Sequence, residues 1–280
     1  TSGSVSATAT ATVNQTAASV TLSPTSVSFT SIGDTASLAA TVTDAGGTVI
    51  SDADVTWATS DASIATVSSD GLVTAVGNGI ATITATSGSV NGTATATISQ
   101  VAISLTLSPT SVSFTSIGDT ASLIATGRDA GGTVISNPTV TWATSDASVA
   151  TVSADGLVTA VIDGTATITA TSGSASATAT ATVSQVAQSV TLSPASVSFA
   201  SAGDTTTLVA TVRDAAGNII PGATVTWVTS SSSVATVSSA GLVTAVGHGT
   251  ATITATSGSV SATATATVNQ TAASVTLSPT

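Results

Sequence analysis

Hydrophobic and polar residues alternate along this chain with a period of two. Leu38, Ala40 and Val42 fall on one side of a segment whose other side carries Ser37, Ala39 and Thr41. Val55 and Trp57 flank Thr56. Ala81, Ile83 and Ala85 alternate with Thr82, Thr84 and Thr86, and Ala94, Ala96 and Ile98 with Thr93, Thr95 and Thr97. One apolar face and one hydroxyl face mark strands with one side in a core and the other in water. The pattern predicts strands over 20–22, 26–29, 35–43, 54–59, 64–68, 72–76, 79–86 and 89–98. Turn signals separate them: Ser23-Pro24, Gly33-Asp34, Ala45-Gly46-Gly47, Ser69-Asp70-Gly71 and Ser87-Gly88. No helical period is present, so the expected class is all-β, built as a two-sheet sandwich.

The pattern repeats. "GLVTAVGNGIATITATSG" starts at Gly71 and returns from Gly156 and Gly241 with small changes, each time displaced by 85 residues. Trp57, Trp142 and Trp227 keep that interval, as do Phe29, Phe114 and Phe199. The modules are therefore read as 20–104, 105–189 and 190–274. Residues 1–25 are identical to 256–280. Residues 1–19 then read as the end of a preceding module and 275–280 as the start of a following one. The joints 98–104 and 183–189 contain neither Gly nor Pro and are short, so each last strand is expected to feed directly into the next module. Such an array predicts an elongated, semi-rigid rod in which each module meets mainly its neighbours.

Composition narrows the function. The net charge is −11, with only two Lys or Arg, so the basic footprint of a nucleic-acid binder is missing. No apolar run reaches membrane-spanning length, and no membrane insertion is expected. With no Cys, Glu or Lys and a single His, an enzyme is the class that fits worst.

The stretch 55–88, "VTWATSDASIATVSSDGLVTAVGNGIATITATSG", and the opening "LSPTSVSF…GDTASLAATVTD" resemble the bacterial immunoglobulin-like group 2 domain. That family occurs in intimin- and invasin-type adhesins, other large surface proteins and phage virion proteins. The resemblance covers all three modules and both partial ends. It implies tandem immunoglobulin-like sandwiches on an extracellular or cell-surface stalk, and it brings no catalytic residues. The third module departs from the others at Ser231 and Ala240, where they carry Asp61/Asp146 and Asp70/Asp155.

Each candidate residue has a plain structural reading. Trp57, Trp142 and Trp227 lie on the apolar face and are expected in the core with Phe29, Phe114 and Phe199. Asn78, Asp163 and His248 share one position before Gly, and all three tolerate positive φ, so a left-handed turn is expected there. Asp34, Asp119 and Asp204 follow Gly, while Asp44, Asp129 and Asp214 precede a small-residue turn. These are read as turn-capping carboxylates. The sharper expectation is Ca²⁺ held by them at module junctions, although no EF-hand loop is present. No other cofactor is expected. Arg128 and Arg213, each before an Asp, are read as solvated local pairs. The Thr-Ala strings at 93–97 and 178–182 are regular and uncharged, and at a sheet edge they would invite lateral association into filaments.

The function expected from the sequence is a non-enzymatic spacer in a bacterial stalk or fibre. Its partners are neighbouring modules, other copies in a filament, and a host or cell-surface ligand reached through parts outside this sequence. The alternative is a binding module that recognises a glycan or protein through loops at one tip.

Overall fold

The computed structural model describes residues 3, 4, 6–10 and 14–270; the segment 275–280, read as the start of a further module, lies outside them. Every regular element among the described residues is a strand. The chain divides into two compact units. One holds the residues up to Thr106 with Thr126–Val140 and Thr171–Ser176; the other holds Leu107–Ala125, Thr141–Ala170 and the chain from Ala177 onward.

The first module contains β1 (Ser19–Ser23), β2 (Ser26–Phe29), β3 (Thr35–Ser37), β4 (Ala39–Thr43), β5 (Thr56–Thr59), β6 (Ala65–Val67), β7 (Leu72–Ala75), β8 (Gly79–Ser87) and β9 (Val90–Ile98). They form a four-stranded sheet in the order β2-β9-β8-β5, a three-stranded sheet β3-β7-β6 and the pair β1-β4. Only β2 and β9 run parallel; the other pairs are antiparallel. The third module repeats these pairings in the second unit. The sheet orders of the second module are the same. The alternation predicts the sandwich, and the immunoglobulin-like arrangement is the one the family resemblance implies.

The predicted strand 35–43 is two strands. Leu38 interrupts it: its amide donates to the Gly71 carbonyl at 2.9 Å and its side chain is 3% exposed. There the chain changes partner, β3 pairing with β7 and β4 with β1. The hairpin β8–β9 turns through Gly88-Ser89, with Gly88 at φ 60, the placement a type II′ turn requires.

Ile83, Val73, Ala81, Ala85, Ala96 and Leu38 form the buried centre of the first module. Phe29, Phe114 and Phe199 are buried as expected. The tryptophans are half-buried, with Trp57 packed on the core cluster rather than inside it. A Cβ on Gly71 would sit 2.8 Å from Cζ2 of Trp57, so the indole packs directly against that glycine.

The Thr-Ala strings are not edges. β9 lies between β2 and β8: β8 pairs along its whole length and β2 along Thr95–Ile98, and Thr182 and Thr267 fall in strands flanked in the same way. The edges of that sheet are β2 and β5, so over Thr95–Ile98 the Thr-Ala strand is paired on both sides and offers no free edge for lateral pairing.

Candidate functional site at the module junctions

A buried carboxylate stands at each of two successive joints. Within the first unit, Asp129 directly follows a strand of the second module (Ile124–Arg128) and is 1% exposed. Its Oδ1 accepts the Thr133 amide at 2.8 Å, which closes its own turn. Its Oδ2 accepts the amide of Ile32, in the β2–β3 turn of the first module, at 3.0 Å, and Nε2 of Gln100, in the joint, at 2.8 Å. The amide of Ala130 donates to Oγ of Ser31, itself 1% exposed, at 3.1 Å. A Cβ on Gly131 would lie 3.1 Å from the Ile32 carbonyl, so the two turns approach closely at a residue without a side chain.

The second unit repeats the arrangement one module on. Asp214, 3% exposed, accepts the Ile117 amide at 3.0 Å and Gln185 Nε2 at 2.9 Å on Oδ2, and the Asn218 amide at 2.8 Å on Oδ1. Asn218 adds a contact with no counterpart at Thr133: its Nδ2 donates to the Ile117 carbonyl at 2.9 Å. Burial pushes the Asp214 carboxyl up, but the donors from Gln185, Ile117 and Asn218 outweigh it and hold the group at about 2. Asp129 is lowered by the same balance of burial against Gln100, Ile32 and Thr133.

Asp44, at the matching place in the first module, keeps only the local half. It accepts the amides of Gly46 and Thr48 at 2.9 Å and Nε2 of Gln15 at 3.1 Å, and it is half-buried. The joint glutamine thus precedes the turn aspartate by 29 residues in all three modules. Gln100, Gln185, Ser31, Ser116 and Asn218 were not singled out from the sequence; the recurrence of Gln at one interval with Asp was the available signal.

Asn78 and Asp163 belong to the same joints. Oδ1 of each accepts the amide of Gln100 or Gln185 at 2.8 Å, and Asn78 also donates Nδ2 to Gln100 Oε1 at 3.0 Å. The expected left-handed conformation is absent there: the positive φ belongs to the following Gly79, Gly164 and Gly249, and among the described residues the non-glycine residue with positive φ is Asn137. A short side chain that accepts a main-chain N–H, with the following glycine carrying the turn, explains the shared position. His248 is exposed.

The other aspartates close turns. Asp119 and Asp204 accept the amides of Ser116 and Ser201 at 3.0 Å, and the Asp34 amide meets the Ser31 carbonyl at 3.4 Å. Asp61 accepts the Ser63 amide and hydroxyl; at Ser231 a hydroxyl contact with Ser233 at 2.9 Å stands in its place. The proposed calcium ligands are not assembled as a cage. N–H donors occupy Asp129 and Asp214, and among the described residues no three His, Cys, Asp or Glu side chains gather. Arg128 and Arg213 donate to the Gly132 and Gly217 carbonyls at 2.8 Å rather than to the neighbouring aspartates.

The site is thus a polar lock between modules. The profile of the bacterial Ig-like domain (group 2) matches residues 16–98, 102–183 and 186–268. The chain belongs to this family. These matches start a few residues ahead of the borders marked by the repeat alone. Among solved structures, the Escherichia coli adhesin FdeC is 19% identical, over 92% of this chain and 99% of that one, with a TM-score of 0.38. Invasin, a bacterial integrin-binding protein, is 18% identical over 92% of this chain and 61% of its own, TM-score 0.38. Domains 1–6 of the surface-layer protein SbsC are 22% identical over 92% and 41%, TM-score 0.31. The chain therefore spans about two fifths of that surface-layer fragment. Comparison with curated proteins gave no match.

Proposed function

We propose that this chain is a non-enzymatic spacer, a tandem segment of an extracellular bacterial stalk or fibre that holds another part of its parent protein away from the surface. One observation carries the reading: a buried carboxylate ties a turn of one module to the next, and does so twice at the same interval. A flexible string of domains has no use for such a lock; a stiff spacer does. Membership of a family found in adhesins and other surface proteins supports the location. In this reading the hydrogen bonds at Asp129 and Asp214 do the work of a cation, and no cofactor takes part. Small-angle scattering from chains of two, three and six modules tests it. The maximum dimension rises linearly with module number if the reading holds; a compact particle of nearly constant dimension overturns it.

A second reading, recognition of a glycan or protein at a loop tip, is favoured by one feature of the third module. Its most divergent loop, with Ile219, Ile220 and Pro221, borders an open cleft of about 280 Å³ along Ala210–Val212. Binding on a glycan array that Ile220→Ala removes would support it.

A further inference from the structure

We propose that each module is a mechanical clamp that bears tension: a pull on the two ends of the chain shears β2 against β9 lengthwise, and does the same to their counterparts. β2 and β9 run parallel, in the register Ser26 with Thr95 to Phe29 with Ile98. The chain reaches β2 through β1 and leaves the module from the end of β9. A pull on both ends therefore draws the two strands past each other along their length. Every bond between them is loaded at once, and none can fail alone. In an antiparallel pair, entry and exit would lie at the same end of the ladder, and its bonds would open one after another.

The ladder extends beyond the paired strands. The Thr95 amide donates to the Thr25 carbonyl ahead of β2, and past its end the Ser99 and Val101 amides donate to the Phe29 and Thr30 carbonyls, each at 3.0 Å. The next two residues of that turn are the ones the junction lock holds: Ser31 Oγ accepts the Ala130 amide, and the Ile32 amide donates to Asp129. Clamp and lock thus form one continuous row of hydrogen bonds. Val27, Phe29, Ala96 and Ile98 are buried beneath the ladder and keep water from its inner side.

The device recurs. In the second module Ser111–Phe114 pairs in parallel with residues 180–183, and the amides of Thr180, Ser184 and Val186 donate to the carbonyls of Thr110, Phe114 and Thr115. In the third, Ser196–Phe199 pairs in parallel with residues 265–268, and the amides of Thr265 and Asn269 donate to Ala195 and Phe199. Modules joined in series carry the same load. Load reaches them only in a chain tethered on both sides, so the function rests on the spacer reading, whereas the clamp itself does not.

Single-molecule force spectroscopy of the whole chain tests the proposal. Pulled from its two ends, the chain should yield in similar steps, each releasing at most roughly 280–310 Å, the extended length of one 85-residue module. The chain has no cysteine, so Ser89→Cys in the exposed β8–β9 turn provides a unique second handle. A pull between the N-terminal end and that thiol loads the β2–β9 ladder from one end only. The first module should then open at least about ten-fold faster at equal force, the rate equivalent of about one hydrogen bond. Thr25 and Phe29 both face β9, so by alternation the Val27 amide does too, and Val27→Pro removes it. That variant should speed the opening of one module about ten-fold in the end-to-end pull. Val73→Ala, which leaves a cavity in the other sheet, should lower the melting temperature without changing the opening rate under force. Equal rates in the two pulling directions overturn the proposal, as does a Val73→Ala module that opens under force as fast as the Val27→Pro one. If Val27→Pro does not fold, the comparison of directions decides by itself. A strong clamp is compatible with a compact particle in scattering, so the two tests fail separately.

Discussion

The amide of Ile32 donates to Asp129 Oδ2, 97 residues further along, at 3.0 Å, and the amide of Ile117 makes the same bond to Asp214 at the same separation and length. A main-chain N–H in a turn is an obligatory donor, and a buried one without a partner is costly. A buried carboxylate is costlier still unless donors surround it. Each group removes the other's penalty, and neither is satisfied unless successive modules stand in one relative placement. The joint is therefore specified by polar satisfaction, where a core is specified by apolar fit.

Asp129→Ala should be strongly destabilising. The substitution orphans the Ile32 and Thr133 amides and frees Gln100. The Ile32 amide, enclosed between the modules, would cost about 1–3 kcal/mol unsatisfied, while exposed Thr133 can turn its amide to water. Denaturant unfolding of the whole chain should show its first transition moved to lower denaturant. Asp44→Ala, at a half-buried site with only local partners besides Gln15, should move it less.

Acid should open the second joint late. The Asp214 pKa is depressed from the ordinary 3.8 to about 2, so the folded state favours the ionised form. Its contribution is then fully present above about pH 4 and is lost as pH falls through 2. Asp129 shifts in the same direction. Melting temperature measured from pH 7 to 1.5 should stay level to about pH 4 and then fall, and Asp214→Asn should flatten that acid limb.

Gly71→Ala should be far worse than Gly33→Ala, although both glycines have positive φ, at 79 and 89. At Gly33 a new Cβ meets nothing within 4 Å, and the cost is the backbone strain of about 1 kcal/mol. At Gly71 it would lie 2.4 Å from the Leu38 carbonyl and 2.8 Å from Trp57. Overpacking of that kind adds about 1–3 kcal/mol. Thermal unfolding of the two variants against wild type separates them. Gly156 and Gly241 should behave like Gly71, because the Trp142 and Trp227 rings meet them in the same way.

The strands were legible because each needs only its own residues: Thr82, Thr84 and Thr86 against Ala81, Ile83 and Ala85 give both the face and the period. The break at Leu38 was not, since alternation continues through it and only the change of partner from β7 to β1 reveals it. Asn78 misled for a related reason. Its residue type fits a positive φ, but the following Gly79 takes that conformation and leaves the side chain to hold the Gln100 amide. The joints were least legible of all. Their bonds span up to 101 residues and many of their donors are main-chain amides, which no residue pattern displays.

The two joints should also differ in strength, and Asn218 is the reason. At the first joint the matching residue is Thr133, which contributes only its amide to Asp129. Asn218 contributes its amide to Asp214 and extends Nδ2 to the Ile117 carbonyl at 2.9 Å, so Asp214 and Asn218 together engage both the amide and the carbonyl of Ile117. Asn218→Thr removes the side-chain bond and keeps the amide. The expected loss is that of one hydrogen bond, about 0.5–1.5 kcal/mol, confined to the second joint. The converse change, Thr133→Asn, should strengthen the first joint if the Ile32 carbonyl is within reach of the new amide. Hydrogen exchange at the Ile32 and Ile117 amides reads both joints in one chain. In the wild type the Ile117 amide should be the better protected, and Asn218→Thr should bring it to the level of Ile32. Equal protection in the wild type would mean that the extra contact adds nothing to the lock.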